Sequence, residues 1–339
     1  MTGILLTILF FGITIFVHEL GHFCVAKLCK VKVNEFSIGM GPSFWHFGKG
    51  ETKYSLRWFP IGGYVSMEGE ETESEDKRSF GKKPIYQRFA VLIAGALMNF
   101  ILGVLLMGII ILAQGQVITT TISSVSTEVP SSQALLMPGD TITEVNGHSF
   151  LCESDFRFEL QSIPYDQPVN LTVERNGEEL QLNNVGEIKT NPDSSQYRLL
   201  GITLSTEDLN FKNFVSDTIG NSLFYAKLVW SSLIDLFTGQ VSITQLSGPV
   251  GITQVVDQAQ SIGWMSVVSL FAFLTINIGI FNLIPFPALD GGQILFLLIE
   301  AIRRKPIKKQ TQGMINFIGF AFLILLMIFV TIKDIVFLF

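Results

Sequence analysis

Four stretches of this chain are each long and apolar enough to cross a bilayer, roughly Met1–His22, Phe89–Ala113, Trp264–Pro287 and Met314–Ile332. About 20 apolar residues wound as a helix span the ~30 Å of hydrocarbon. No water is available there to satisfy backbone groups, so each stretch must close its own hydrogen bonds. A polytopic α-helical membrane protein with four transmembrane helices follows. The composition agrees, with 48% hydrophobic and only 15% charged residues, against about 25% charged in a soluble domain. The first stretch lacks the basic start and small-residue cleavage site of a secretory signal, so it reads as a retained helix.

Charge placement gives an expected orientation. Lys27 to Arg88 holds eleven Lys/Arg, and Arg303 to Lys309 adds five, so two inter-helix loops carry sixteen of the 23 basic residues. Between Val117 and Asp208 there are four basic residues against fourteen acids. The positive-inside rule puts the basic loops in the cytoplasm and the acidic segment outside. The net charge of −6 comes largely from that outer segment and gives no reason to expect a nucleic-acid partner. The three cysteines add little: Cys152 stands alone in the outer segment, while Cys24 and Cys29 fall on the cytoplasmic side as expected thiols.

The chemistry starts at the end of the first stretch, in His18-Glu19-Leu20-Gly21-His22. Helical residues four apart share a face, so His18 and His22 can grip one metal ion. Glu19 stands beside them as a proton acceptor, the arrangement of a zinc protease. Two histidines and a glutamate beside hydrocarbon are costly, an ionised carboxylate by ~3 kcal/mol, and such residues are usually functional. A catalytic zinc normally has three protein ligands. The expected third is Asp290, in Asn282-Leu283-Ile284-Pro285-Phe286-Pro287-Ala288-Leu289-Asp290-Gly291-Gly292, at the cytoplasmic end of the third span. Pro285, Pro287 and the Gly pair break the helix there, which lipid tolerates mainly beside protein or a watery cavity. Asn282 is placed two turns away on the same element, where it could bond a substrate backbone. Cys24 faces away from the histidine pair, and His46, alone among aromatics, reads as structural.

Between the first two spans, about residues 33–67, short runs broken by Gly and Pro read as hairpins. Phe44, Trp45, Phe47, Trp58, Phe59 and Tyr64 suit a loop at the membrane interface. The strand around Gly62, Gly63, Tyr64 and Val65 offers an edge to which an extended substrate could add. Beyond the second span, Pro138-Gly139-Asp140 and Asn146-Gly147 mark turns around a strand, Glu153–Leu160 a short helix, and Asn176-Gly177 a hairpin joining Pro168–Val173 to Glu179–Leu182. Phe211 to Phe237 has apolar residues at helical spacing interrupted by Asp217, Lys227 and Asp235, as in an amphipathic surface helix.

Taken together, these motifs closely resemble the site-2 protease family of intramembrane zinc metalloproteases. The HExxH pentapeptide, Asn282-x-x-Pro285-x-Pro287-x-Leu289-Asp290-Gly291, Leu246-Ser247-Gly248-Pro249 and Pro60-Ile61-Gly62-Gly63-Tyr64-Val65 resemble its bacterial regulator-of-sigma-E-protease branch. The outer segment resembles a circularly permuted bacterial PDZ domain, α+β and extracytoplasmic. The resemblance implies Zn²⁺ at His18, His22 and Asp290, Glu19 as acid/base, and substrate contacts at Asn282, Pro285, Pro287 and Gly62–Val65. It implies a bacterial cytoplasmic membrane and single-pass membrane substrates such as anti-sigma factors, remnant signal peptides or pheromone precursors. It also implies an extended peptide or C-terminus at the PDZ groove. Some members carry two PDZ domains, whereas this chain has room for one. The expected domains are 1–113 with the hairpin region, 114–207 as PDZ, 208–262 as surface helix and linker, and 263–339 with the last two spans. Two other classes compete: a metal-ion transporter, which needs more polar residues along its path than Asn99 and Asn316, and a PDZ adaptor with an inactive core, which needs a missing ligand or Glu19.

Overall fold

The computed structural model describes residues 2–48, 50–70, 72–191, 196–242 and 247–336. In chain order the elements are α1 (Thr2–Leu28), β1 (Val33–Phe47), β2 (Lys53–Met67), α2 (Ile85–Gln114), β3 (Gln116–Val125), α3 (Pro130–Leu135), β4 (Thr141–Val145), β5 (His148–Ser149), α4 (Glu153–Ser162), β6 (Leu171–Arg175), β7 (Glu178–Leu182), β8 (Glu187–Thr190), β9 (Gln196–Leu199), β10 (Ile202–Asp208), α5 (Phe211–Thr238), α6 (Pro249–Ile262), α7 (Trp264–Leu283), α8 (Asp290–Arg303) and α9 (Lys309–Val336). Contacts divide the chain into two compact units, Met1–Leu106 with Leu228–Phe339, and Met107–Lys227.

Among the described residues, α1, α2, α7 and α9 are the four helices long and apolar enough to span a membrane. Each contains the core of one expected stretch. The third ends at Leu283 rather than Pro287, because Pro285 and Pro287 lack the N–H that another turn would need. Three of the described helices were not anticipated, the short α3 of the second unit among them. α6 occupies part of the expected linker, and α8 begins at Asp290 itself. Asn282 and Asp290 therefore do not share an element, as the sequence suggests; the break from Ile284 to Leu289 separates them. Of the Leu246-to-Pro249 motif, Leu246 lies outside the described residues.

The membrane helices meet through small residues. A methyl at Gly21 would sit 2.4 Å from the Ala94 carbonyl oxygen, and one at Gly279 would sit 3.0 Å from that of Ala96. α1 and α7 thus approach the backbone of α2 closely at these points, the usual route to tight association where lipid offers no hydrophobic drive.

β1 and β2 are bent strands that pair twice. Val33 to Ile38 pairs with Met67 to Gly63, while Glu35 to Ile38 also pairs in step with Lys53 to Leu56. Trp45 to Phe47 then pairs back with Leu56 to Tyr54. The four runs therefore lie in the order 45–47, 53–56, 33–38, 63–67, which leaves Gly63–Met67 as an edge. Gly39, Gly41 and Gly62 take positive φ of 86°, 85° and 88° at the bends, a region closed to most side chains. Phe44, Trp45, Phe47 and Trp58 are exposed at the far end.

In the second unit the sheet runs β10-β3-β4-β6-β7, with β5 on β4 and a separate β8-β9 pair. Ile122, Ile142, Val145, Phe156, Leu171 and Val173 form its core, none more than 2% exposed. The Asn146-Gly147 and Asn176-Gly177 turns have positive φ at both residues, the geometry that matches strand twist in a two-residue hairpin. The β6 strand starts at Leu171 rather than Pro168. α5 is one continuous helix, as its spacing suggests, and is not among the four candidate spans.

Candidate active site

α1 brings His18 and His22 to one face, and their Nε2 atoms lie 3.2 Å apart. Asp290 Oδ2, from the first residue of α8, lies 3.1 Å from His18 Nε2 and 3.3 Å from His22 Nε2. Four ligands around a tetrahedral zinc at ~2.0–2.1 Å stand about 3.3–3.4 Å from one another. The three atoms are spaced for one such ion. Among the described residues they are the one cluster of three His, Cys, Asp or Glu side chains that could hold a metal.

The surroundings fit a cation as well. His22 Nδ1 faces the Val91 carbonyl oxygen at 2.8 Å. A carbonyl can only accept, so Nδ1 carries the proton and the Nε2 lone pair is left for a metal. Asp290 Oδ2 is buried and otherwise unsatisfied by hydrogen-bond donors, which is expensive unless a cation claims it. Gly95 of α2 packs directly on the pair: a methyl there would lie 2.4 Å from His22 Nε2 and 2.7 Å from His18 Nε2.

The broken segment places the third ligand. α7 stops at Leu283, Ile284 and Leu289 are extended, and Ala288 takes a φ of 75°. A β-carbon at Gly291 would fall 2.1 Å from the Ile284 carbonyl oxygen, so the glycine lets the first turn of α8 sit on the end of α7. Asn316 of α9 accepts from the Ala288 N–H through its Oδ1 at 3.4 Å.

The site opens into a cleft of about 910 Å³. His18, Glu19 and His22 line one side, Tyr64 to Met67 of the β2 edge another, and Asn316, Phe317 and Phe320 of α9 a third. The Val65 backbone lies within hydrogen-bonding range of the Glu19 carboxylate. A β-carbon at Gly63 would come 3.1 Å from Glu19 Cγ. The edge is braced from behind by Arg57, which donates to Glu35 Oε1 at 2.8 Å and to the Tyr64 hydroxyl.

Of the residues singled out from sequence, His18, Glu19, His22, Asp290, Tyr64 and Val65 meet in this cleft. Gly62, Gly63, Asn282, Pro285 and Pro287 stand outside its wall, the first two at the bend leading into the edge and the others at the helix break. His46 is exposed on β1, paired with Ser55, and Cys24 is exposed; neither belongs to the ligand cluster. Sequence reasoning did not assign Gly95, and it used Asn99 and Asn316 only as a test of a transport path.

A two-histidine, one-carboxylate centre with an adjoining glutamate, carried by apolar helices, defines the class as a membrane-embedded zinc metallopeptidase. The chain belongs to peptidase family M50, whose match covers residues 6–326. It is 33% identical over 428 aligned residues to zinc metalloprotease RasP of Shouchella clausii, covering 99% of each chain. It is 30% identical over 410 residues to the regulator of sigma-W protease RasP of Bacillus subtilis, covering 97% of each. A protein of Clostridium acetobutylicum that carries a provisional zinc-metalloprotease name is 37% identical over 340 residues, covering 99% of this chain and 98% of its own. The protein is a zinc metalloprotease of the cytoplasmic membrane, and Zn²⁺ is its metal.

Proposed function

We propose that this protease hydrolyses peptide bonds within or beside the membrane span of single-pass membrane proteins. The observation that carries the reading is the shared cleft: metal ligands on an apolar helix and an unpaired strand edge face the same space. His18, His22 and Asp290 would hold the ion. Zinc in such a site polarises a carbonyl and lowers the pKa of water to about 7. Glu19 takes the proton of the attacking water and later gives it to the leaving amine.

A substrate helix hides its carbonyls in its own hydrogen bonds and must unwind before attack. Pairing with Tyr64–Met67 replaces bonds lost in unwinding, since the ladder leaves this run without a strand neighbour on its outer side. Gly62 and Gly63 set the bend that presents this edge. Asn282, Pro285 and Pro287 shape the other flank of the unwound segment.

The outer unit acts as a single PDZ domain on the extracytoplasmic side, with the basic loops and the metal centre near the cytoplasmic face. The groove between α4 and β10 takes an extended chain or C-terminus, so bulky ectodomains are excluded. Anti-sigma factors, remnant signal peptides and pheromone precursors are the substrate classes of this form. The test is cleavage of candidate single-span substrates by the purified protein against Glu19→Gln. Expected is full loss of cleavage with zinc content unchanged. Persistent cleavage by Glu19→Gln, or cleavage confined to soluble peptides, would reject the reading.

A further inference from the structure

His18 lacks the backbone acceptor that His22 enjoys. Its Nδ1 instead faces the side-chain amide of Asn99, on α2, at 3.3 Å. Asn99 is 0% exposed in an otherwise apolar part of its helix. As placed, its Nδ2 points at His18, and its Oδ1 is buried with no hydrogen-bond partner. A bare polar atom at that depth is costly.

The amide nitrogen is the wrong group for a metal-loaded centre. A neutral histidine that gives its Nε2 lone pair to zinc keeps its proton on Nδ1, and so needs an acceptor there. An amide supplies either group, because half a turn about its last bond exchanges oxygen and nitrogen. We propose that Asn99 is the positioning residue of His18: with zinc bound, its side-chain oxygen accepts the Nδ1–H bond and fixes the ring with Nε2 toward the ion. The two histidines are thus held differently. Val91 gives His22 a backbone acceptor, while Asn99 gives His18 a side-chain one.

The competing role is packing, since Asn99 also lies at the contact between α2 and α7, where a methyl at Gly279 would come 3.4 Å from its Cβ. Two variants of similar size separate the roles. Asn99→Leu removes every polar atom, whereas Asn99→Asp keeps an acceptor facing His18. Zinc affinity is measured on the full-length protein in detergent by competition with a chromophoric chelator, and the cobalt-substituted spectrum is recorded alongside. Asn99→Leu should bind zinc about 10–100-fold more weakly, the usual effect of losing a partner of a ligand, with an altered cobalt spectrum. Asn99→Asp should restore affinity toward the wild type. Wild-type affinity in Asn99→Leu, or equal weakening in both variants, overturns the proposal. Because either substitution could impair folding, the wild type is also tested directly. Nitrogen-15 NMR of histidine-labelled, zinc-loaded protein should find the His18 proton on Nδ1; a proton on Nε2 refutes the assignment.

Discussion

Replacing Gly95 with alanine tests the centre with the smallest possible change. The added carbon would lie 2.4 Å from His22 Nε2 and 2.7 Å from both His18 Nε2 and Cε1. Non-bonded contacts of this kind settle near ~3.5 Å, so three contacts are short by roughly an ångström at once. The helix backbone of α2 cannot retreat freely, because α7 is also packed on it, with a methyl at Gly279 only 3.0 Å from the Ala96 carbonyl oxygen. The imidazoles must therefore turn away, although zinc ligands tolerate errors of only about 0.2 Å. Zinc affinity should fall at least ~100-fold, which is about 2.7 kcal/mol. A displacement of about 1 Å at the reacting centre alone can remove ~100-fold of the rate. α2 itself should not suffer, since alanine favours a helix over glycine by about 1 kcal/mol. Chelator competition and a melting curve in detergent separate the two effects. Gly12→Ala, where a methyl meets nothing within 4 Å, is the control and should leave zinc binding unchanged. Wild-type zinc affinity and cleavage in Gly95→Ala would refute the view that α2 forms the floor of the metal site.

Gly319→Ala should also weaken zinc binding, although the residue touches no ligand. Its methyl would lie 2.5 Å from the Pro287 carbonyl oxygen, so the turn leading to Asp290 must move; zinc affinity equal to the wild type would contradict this. Asp334→Ala removes the carboxylate oxygen that accepts the Gly248 and Gly251 N–H groups at 2.8 Å each. The loss should be about 1.5–3 kcal/mol for each charged bond, seen as faster hydrogen exchange in the first turn of α6; unchanged exchange there argues against the cap. In the outer unit, burial by itself would raise the Asp140 pKa, but the Arg175 guanidinium at 2.7 and 2.8 Å and the Met137 N–H outweigh it and hold the carboxyl below its usual range. Since the folded value lies below the unfolded one, this stabilisation is complete above about pH 5 and is lost as pH falls through the lowered pKa. Asp140→Asn should lower stability by about 1.5–3 kcal/mol at neutral pH by weakening the charged hydrogen bonds from Arg175, and should flatten the acid-side fall in β4 and β6 protection; an unchanged acid slope counts against the assignment.

The sequence announces the spans and the ligand set because both are local signals. Apolar runs mark α1, α2, α7 and α9, the i, i+4 histidines declare themselves on one helix, and a carboxylate beside Pro and Gly is conspicuous at the end of a span. What it hides is contact between distant segments. Gly95 and Asn99 look like ordinary residues of an apolar helix until α2 is laid against α1, when one becomes the floor beneath the imidazoles and the other the neighbour of His18. The placement of Asn282 with Asp290 on one element fails for a related reason. Prolines at 285 and 287 indicate a break, but not that the chain restarts as a helix at the ligand itself. The double pairing of β1 and β2 is equally hidden, since alternation reports strand character and says nothing about which half of a bent strand faces which partner.

Cutting a bond in lipid requires non-helical backbone at membrane depth on the enzyme as well as on the substrate, and such backbone must be satisfied by protein. The segment from Ile284 to Leu289 shows how. Phe286 and Leu289 donate within the turn, to Ile284 and Phe286 carbonyls at 2.6 and 3.2 Å. The Ala288 N–H, which the turn cannot serve, is met by Asn316 from α9. α9 contributes no ligand, yet it closes the polar account of the break and presses on Pro287 through Gly319. The last helix is therefore part of the metal site in the mechanical sense: without it, the strained Ala288 turn has no external partner, and the direction in which Asp290 leaves that turn is not fixed. This is why the third ligand can sit some 270 residues from the first two (290 against 18 and 22) and still meet them within 3.3 Å.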